Sequence, residues 1–223
     1  TIARFLESNR YIEKARELKL RRNPWLKEHL LEVEACRLHY QQDFSQAPEL
    51  TRMETKKNFT IEFAFNTAGI EGNTIKLQEA RELLQEGTAP KGTSLREIYD
   101  LQNTEKAFQF MWETRDSLSQ ELITYLHALL MENIDPRTGY RISDVRVIKA
   151  NFKATPAPYV KADMNLLLKW YQNNEKQLHP LVLAILFHHK FEKIHPFMDG
   201  NGRTGRLLLN YIPKSLIIIE TFL

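Results

Sequence analysis

Apolar residues recur at helical spacing along most of this chain, and the alternation that marks a half-buried strand is confined to one short stretch. The first 50 residues interleave strong helix formers with charge. Asn23-Pro24 falls where two helices would part, because the residue before a proline is steered out of the helical region. A helical pattern runs from about Asn58 to Glu71 and stops at Gly72-Asn73, where a left-handed cap fits. Others run from Leu77 to Gly87, from Ser94 to Trp112 and from Ser119 to Asn133, with Asp135-Pro136 closing the last. Gly87 to Gly92 reads as a loop. Tyr140 to Thr155 is rich in β-formers and closes at Pro156-Ala157-Pro158, which predicts a short β-hairpin. Helix returns at about Val160 to Gln177 and from Pro180 to Lys193, where apolar positions nearly encircle the axis and predict the buried centre of the fold. The expected class is all-α, mainly helical, with one small hairpin. Neither an internal repeat nor a low-complexity segment interrupts it.

Composition narrows the functional classes. The chain has 223 residues, 31 Lys+Arg against 28 Asp+Glu for a net charge of +3, and 43% hydrophobic residues. Those are ordinary values for a soluble globular protein. The single cysteine, Cys36, can form neither an internal disulfide nor a cysteine-based zinc site, so a reducing, cytoplasmic setting is expected. The longest apolar run, Leu181 to Phe187, is seven residues long. A bilayer span needs about 20, so no membrane segment is expected. Thr1 to Lys14 lacks the order of basic, apolar and small residues that marks a secretory leader. From Arg10 to Lys27 there are seven basic residues and two acidic ones. No base-reading aromatic pattern accompanies them, so they read as a solvated helix face rather than a nucleic-acid patch.

One segment carries chemistry. His195-Pro-Phe-Met-Asp199-Gly200-Asn201-Gly202-Arg203-Thr-Gly205-Arg206 follows the buried helix and leads into another. Its three glycines can turn backbone amides toward one point, and the new helix adds free N-terminal donors, a combination that binds anions. Arg203 and Arg206, three apart, share a face of the first turn, where the dipole is already positive. That crowding is explained by a multiply charged anion between them, and a polyphosphate fits better than a carboxylate. Asp199 would be misplaced beside phosphate unless Mg²⁺ bridges the two. His195 stands at the edge, where nearby positive charge should keep its imidazole neutral and able to act as a general base.

Two other readings of these residues fail on context. Gly200-x-Gly202-x-x-Gly205, with Glu220 twenty residues after Gly200, satisfies the dinucleotide-binding pattern. That fingerprint must directly follow a strand, and here a helix precedes it. His188, His189 and His195 suggest zinc, but adjacent helical histidines diverge and no HExxH or cysteine pair is present. His188 and His189 read instead as hydrogen-bonding residues at the core edge. The absence of GxxxxGK[ST] excludes a P-loop ATPase by motif.

The segment resembles the signature HPFx[D/E]GNGRxxR of the Fic family at every fixed position. The likeness reaches from about Asn66 to Tyr211, which divides the chain into an N-terminal helical extension, 1–57, and a Fic domain, 58–223. The resemblance implies transfer of AMP from ATP to a Ser, Thr or Tyr hydroxyl of a target protein. It implies that His195 takes the hydroxyl proton and that Asp199 holds Mg²⁺ at the α and β phosphates. Gly200, Asn201 and Gly202 would form the α-phosphate anion hole, with Gly205 in the same loop, while Arg203 and Arg206 hold the β and γ phosphates. The intact Gly-Asn-Gly favours AMP over the other groups that relatives move. Tyr211-Ile212-Pro213 is expected to end the following helix early.

Two further elements resemble family features. Gly139 to Ile148 resembles the Fic flap, which pairs with an extended target segment by strand addition, and Val147 is the candidate clamping side chain. Thr67-Ala-Gly-Ile-Glu71-Gly72 resembles the inhibitory motif [S/T]xxxE[G/N], on a helix of about 58–72. Glu71 sits at a helix C-terminus, where the dipole disfavours an anion and a cation is wanted. The family supplies one through a salt bridge to the second loop arginine, here Arg206, with Thr67 one turn earlier on the same face. Auto-modification is then expected, and the resemblance admits a homodimer. Two alternatives stay open: a hydrolase that uses Glu71 to remove AMP from a modified target, and a non-catalytic module that senses ATP while binding nucleic acid or a partner.

Overall fold

The computed structural model describes residues 10–17, 27–147 and 152–220. Its helices are α1 (Arg10–Glu17), α2 (Lys27–Gln42), α3 (Glu49–Ile70), α4 (Leu77–Glu86), α5 (Leu95–Glu113), α6 (Gln120–Met131), α7 (Val160–Asn174), α8 (Pro180–Ile194) and α9 (Asn201–Glu220). Short 3₁₀ turns lie at Phe44–Gln46 and Ala157–Tyr159. No strand occurs among the described residues. The Asn23-Pro24 boundary lies outside them.

The chain divides into two compact units, and the boundary falls inside α3. The first takes in the described part of Thr1–Asn58 with Gln177–His179. There α1 packs on α2, and Glu34 is shared by Arg37 at 2.6 Å and by His179 at 2.9 Å. The second takes in Phe59–Lys176 and the residues from Pro180 onward.

Within the second unit α8 is central, as its encircling apolar pattern predicts. Leu183, Ala184, Phe187 and Phe191 are fully buried, with α9 packed along one side and α7 along another. Leu207, Leu208 and Ile212 of α9 and Ile123, Leu126 and Leu130 of α6 complete the core.

Local signals set the helix ends. Ser94 and Glu97 form a capping box that starts α5, and the Ser119 hydroxyl accepts from Leu122 N–H to start α6. Gly87 stops α4 in the left-handed conformation at φ 73°. Three expectations are corrected. α3 begins at Glu49 rather than near Asn58, because its first turns are good helix formers that stay exposed and show no apolar stripe. α9 continues through Pro213 to Glu220. Its buried stripe through Tyr211 and Ile212 outweighs the hydrogen bond that proline removes. Finally, the flap has no strand ladder among its described residues. Its limbs are joined by side chains: Asp144 Oδ1 accepts from Ala157 N–H at 2.7 Å, and Arg141 donates to the carbonyls of both Ser143 and Thr155. Residues 148–151 lie outside the described set.

Candidate active site

The loop from His195 to Gly200 joins α8 to α9 and closes on itself. Phe197 is fully buried and stacks on the His127 ring with centroids 3.7 Å apart. The Asn201 amide accepts from Phe197 N–H and donates to Phe197 O, both at 2.8 Å, pinning the turn at its base. Gly200 takes φ 76°, and a Cβ there would come within 2.8 Å of Met131 Sδ. A side chain would be both strained and crowded at that position.

His195 itself has φ 53°, the left-handed conformation in which helices usually end on glycine. Arg141 holds it there. Its enclosed guanidinium donates to His195 O at 2.8 Å and Ile194 O at 3.3 Å, and its own N–H donates to Pro196 O at 2.9 Å. Burial first, and the Arg141 charge after it, push the His195 pKa down, so the imidazole is neutral at pH 7. The neutral state matches the expectation, but desolvation exceeds the cationic repulsion expected to cause it.

Asp199 sits at the mouth of the loop. Burial works to raise its pKa, but Arg96 at 2.5 Å, the Gly200 N–H at 2.6 Å and Arg203 outweigh it and hold the carboxyl below the usual range. No group of three or more His, Cys, Asp or Glu able to hold a metal occurs among the described residues. A single anionic carboxylate fits Mg²⁺, which takes one or two carboxylates and completes its shell with phosphate and water.

The two arginines part company. Arg203 is 2% exposed and pairs with Asp100 of α5, with Asp199 Oδ1 at 3.7 Å. Arg206 donates through Nε to the Thr67 hydroxyl and through Nη2 to Thr67 O at 3.2 Å and Glu71 Oε1 at 2.5 Å. Each guanidinium thus has a carboxylate of its own, and charge balance needs no anion between them, contrary to the sequence argument. The Glu71 carboxylate lies where a Cβ on Gly202 would be, so the chain's own anion occupies space above the glycine-rich turn. Gly205 makes a similar close approach, its face lying against Glu192 and His188 of α8.

His195, Asp199 and the glycine turn therefore come together, with Thr67 and Glu71 on Arg206. Val147 is half-buried on the near limb of the flap, and no described contact ties it to His195. Asp100, Arg96, Arg141, His127 and Glu192 are site neighbours that the sequence reading missed. Asp100 lies 103 residues from Arg203 and Arg141 lies 54 from His195, separations at which no local pattern signals a pairing.

Comparison with known proteins places this geometry. Residues 117–212 match the Fic/DOC family. The chain carries a Fic domain. It is 32% identical over 172 residues to the protein adenylyltransferase fic-1 of Caenorhabditis elegans, covering 71% of this chain and 34% of that one. It is 32% identical over 197 residues to the protein adenylyltransferase Fic of Aedes aegypti, covering 82% and 38%. The chain thus spans about a third of the length of these curated relatives. Among solved structures, a Fic family protein from Desulfovibrio desulfuricans G20 superposes with a TM-score of 0.72 at 28% identity, covering 92% of this chain and 61% of that one. Fic-1 (aa134–508) from C. elegans gives 0.72 at 27%, covering 85% and 56%. The match to the Fic domain includes His195 and the whole loop after it.

Proposed function

We propose that this chain is a protein adenylyltransferase that transfers AMP from ATP to a Ser, Thr or Tyr hydroxyl of a target protein, and that it rests in an inhibited state. The observation that carries the reading is the neutral, enclosed His195 leading into a glycine turn whose Arg206 is already gripped by an internal carboxylate. His195 accepts the target hydroxyl proton, the hydroxyl oxygen attacks the α-phosphorus, and pyrophosphate leaves. Gly200, Asn201 and Gly202, with the first free amides of α9, orient the α-phosphate and receive its developing charge. Asp199 would hold Mg²⁺, which neutralises phosphate charge when bound. Arg203 and Arg206 serve the outer phosphates once released from Asp100 and Glu71, with Gly205 keeping α9 close to α8.

Glu71 acts in this scheme as the brake. It withholds Arg206 from the γ-phosphate and sets a negative charge against the glycine turn, with Thr67 steadying the guanidinium. Glu71 is 41% exposed, which leaves the latch open to release. The flap around Val147 docks an extended target segment beside His195. Self-modification, a homodimer and a cytoplasmic setting belong to the same reading, the last supported by the free Cys36 thiol.

Incubation with α-labelled ATP and Mg²⁺ tests it on three proteins. Glu71→Gly should label itself or a lysate protein more strongly than wild type, and Glu71→Gly with His195→Ala should stay dark. Equal labelling by the double variant would overturn the proposal, and no gain from Glu71→Gly alone would remove the brake.

A further inference from the structure

His188 and Glu192 lie one turn apart near the C-terminal end of α8, and His195 follows that helix's last residue, Ile194. Each carries a buried polar atom without a hydrogen-bond partner: His188 Nδ1, Glu192 Oε1 and His195 Nδ1. Buried groups of this kind are rare and call for a physical account. The other oxygen, Glu192 Oε2, faces His195 Nδ1 at 3.8 Å. That is too long for a hydrogen bond, but catalytic hydrogen bonds often tighten only when substrate binds. A movement of less than about 1 Å would bring Oε2 within hydrogen-bond reach and satisfy His195 Nδ1.

We infer that Glu192 is a positioning residue for His195, its carboxylate keeping the proton on Nδ1 so that the Nε2 lone pair faces the incoming hydroxyl. The inference rests on the AMP-transfer reading and adds a residue to it. As Nε2 takes the hydroxyl proton the ring becomes cationic, and Glu192 compensates that charge without itself accepting a proton. A carboxylate beside a base-acting imidazole does the same work in the Ser-His-Asp arrangement. The close approach at Gly205 has a role here. Because Gly205 has no Cβ, Glu192 can lie against α9, where an added Cβ would stand 2.5 Å from Oε1.

Other groups act on the pair. His195 faces Arg141 from the flap, Glu71 from the end of α3 and Asp199 from its own loop, together with the Glu192 carbonyl. Glu192 feels Arg206 from α9 and Glu71. Burial pushes the Glu192 carboxyl up to about 6 even so. At pH 7 it is therefore an anion held close to neutrality, responsive to charge appearing on the neighbouring ring.

The test titrates the His195 ring by carbon-edited NMR of its Cε1–H, assigned by its loss in His195→Ala, in wild type and Glu192→Gln. Glutamine keeps the main-chain carbonyl and the side-chain shape and loses the charge. The expected result is a His195 pKa lower by about one unit, because an opposite charge within about 4–6 Å has been removed. In a Glu71→Gly background the same substitution should lower kcat about tenfold. Its acid limb should move to lower pH while ATP affinity is unchanged. An unmoved titration and rate would overturn the inference, showing that the main-chain carbonyl orients the ring alone. Should Glu192→Gln not be recovered folded, Glu192→Asp keeps the charge but withdraws it, and wild-type behaviour there would overturn the inference equally. Undiminished transfer by His195→Ala would instead sink the AMP-transfer reading and leave the titration result standing.

Discussion

Replacing Arg141 with alanine should both loosen the fold and silence the site. The guanidinium is enclosed, and its donors serve the carbonyls of His195 at 2.8 Å, Ser143 at 3.0 Å, Ile194 at 3.3 Å and Thr155. A buried carbonyl left without a donor costs about 1–3 kcal/mol. Water entering the vacated space would satisfy part of that demand. Taking three acceptors at the low end gives about 3 kcal/mol of lost stability. For a chain of this size each kcal/mol lowers Tm by about 2–4 °C, so the midpoint should fall by about 6–12 °C. Activity should fall further than stability. The left-handed backbone of His195 is disfavoured by about 1–2 kcal/mol, and without the guanidinium on its carbonyl only main-chain bonds oppose its relaxation. A displacement of about 1 Å at the base can cost about 100-fold in rate. Arg141→Lys, with a compact ammonium in place of the fork, should fall between the two. Thermal melts followed by circular dichroism, paired with label transfer well below the lower midpoint, measure both effects. A melt within about 1 °C of wild type would refute the claim that these carbonyls depend on Arg141.

The Glu71→Gly gain should be about 10- to 100-fold, since freeing Arg206 for a charge-assisted bond to phosphate is worth about 1.5–3 kcal/mol, read as initial rate of self-labelling. Gly200→Ala should cost more than about 1 kcal/mol in a denaturant melt and lose transfer, because it meets positive φ and Met131 together; unchanged transfer would contradict the loop geometry. Transfer by Glu71→Gly should hold from pH 7 down past 6.5 before failing, because burial lowers the His195 pKa and the neutral ring is the active one. Burial also depresses His127, to about 4. The unfolded chain binds that proton from about pH 6.5 down while the folded one resists, so His127 should remove about 3 kcal/mol of stability between pH 6.5 and 4. Glu192 pulls the other way, so the difference between wild-type and His127→Gln melts across that window carries the test.

Much of the fold was legible because its determinants are local. Ser94 and Glu97 lie three residues apart and mark the start of α5 without any tertiary information, and the apolar girdle of α8 announced its central place. The first turns of α3 were not legible, because exposed turns supported by propensity alone carry no stripe. Strand-rich composition misread the flap, where Arg141 and Asp144 do the joining that a ladder would have done. In the site, the contiguous loop from His195 to Arg206 could be located directly, since its residue types stand at fixed offsets. Its charge partners could not. That Arg203 belongs to Asp100, and that burial outweighs cations at His195, are consequences of packing between distant segments.

The Asn201 amide that closes on both main-chain groups of Phe197 bears on how such an enzyme would wake. That tie at the base of the loop, with Arg141 on the His195 carbonyl, does not depend on Glu71. In the inhibited state proposed above, activation would begin with the departure of a tethered competitor, Glu71, from a turn that is already formed. A competitor on a leash is present at a high local concentration that soluble nucleotide cannot easily match. On the proposed reading the dial would be the leash: whatever frays the last turn of α3 would set the output in proportion.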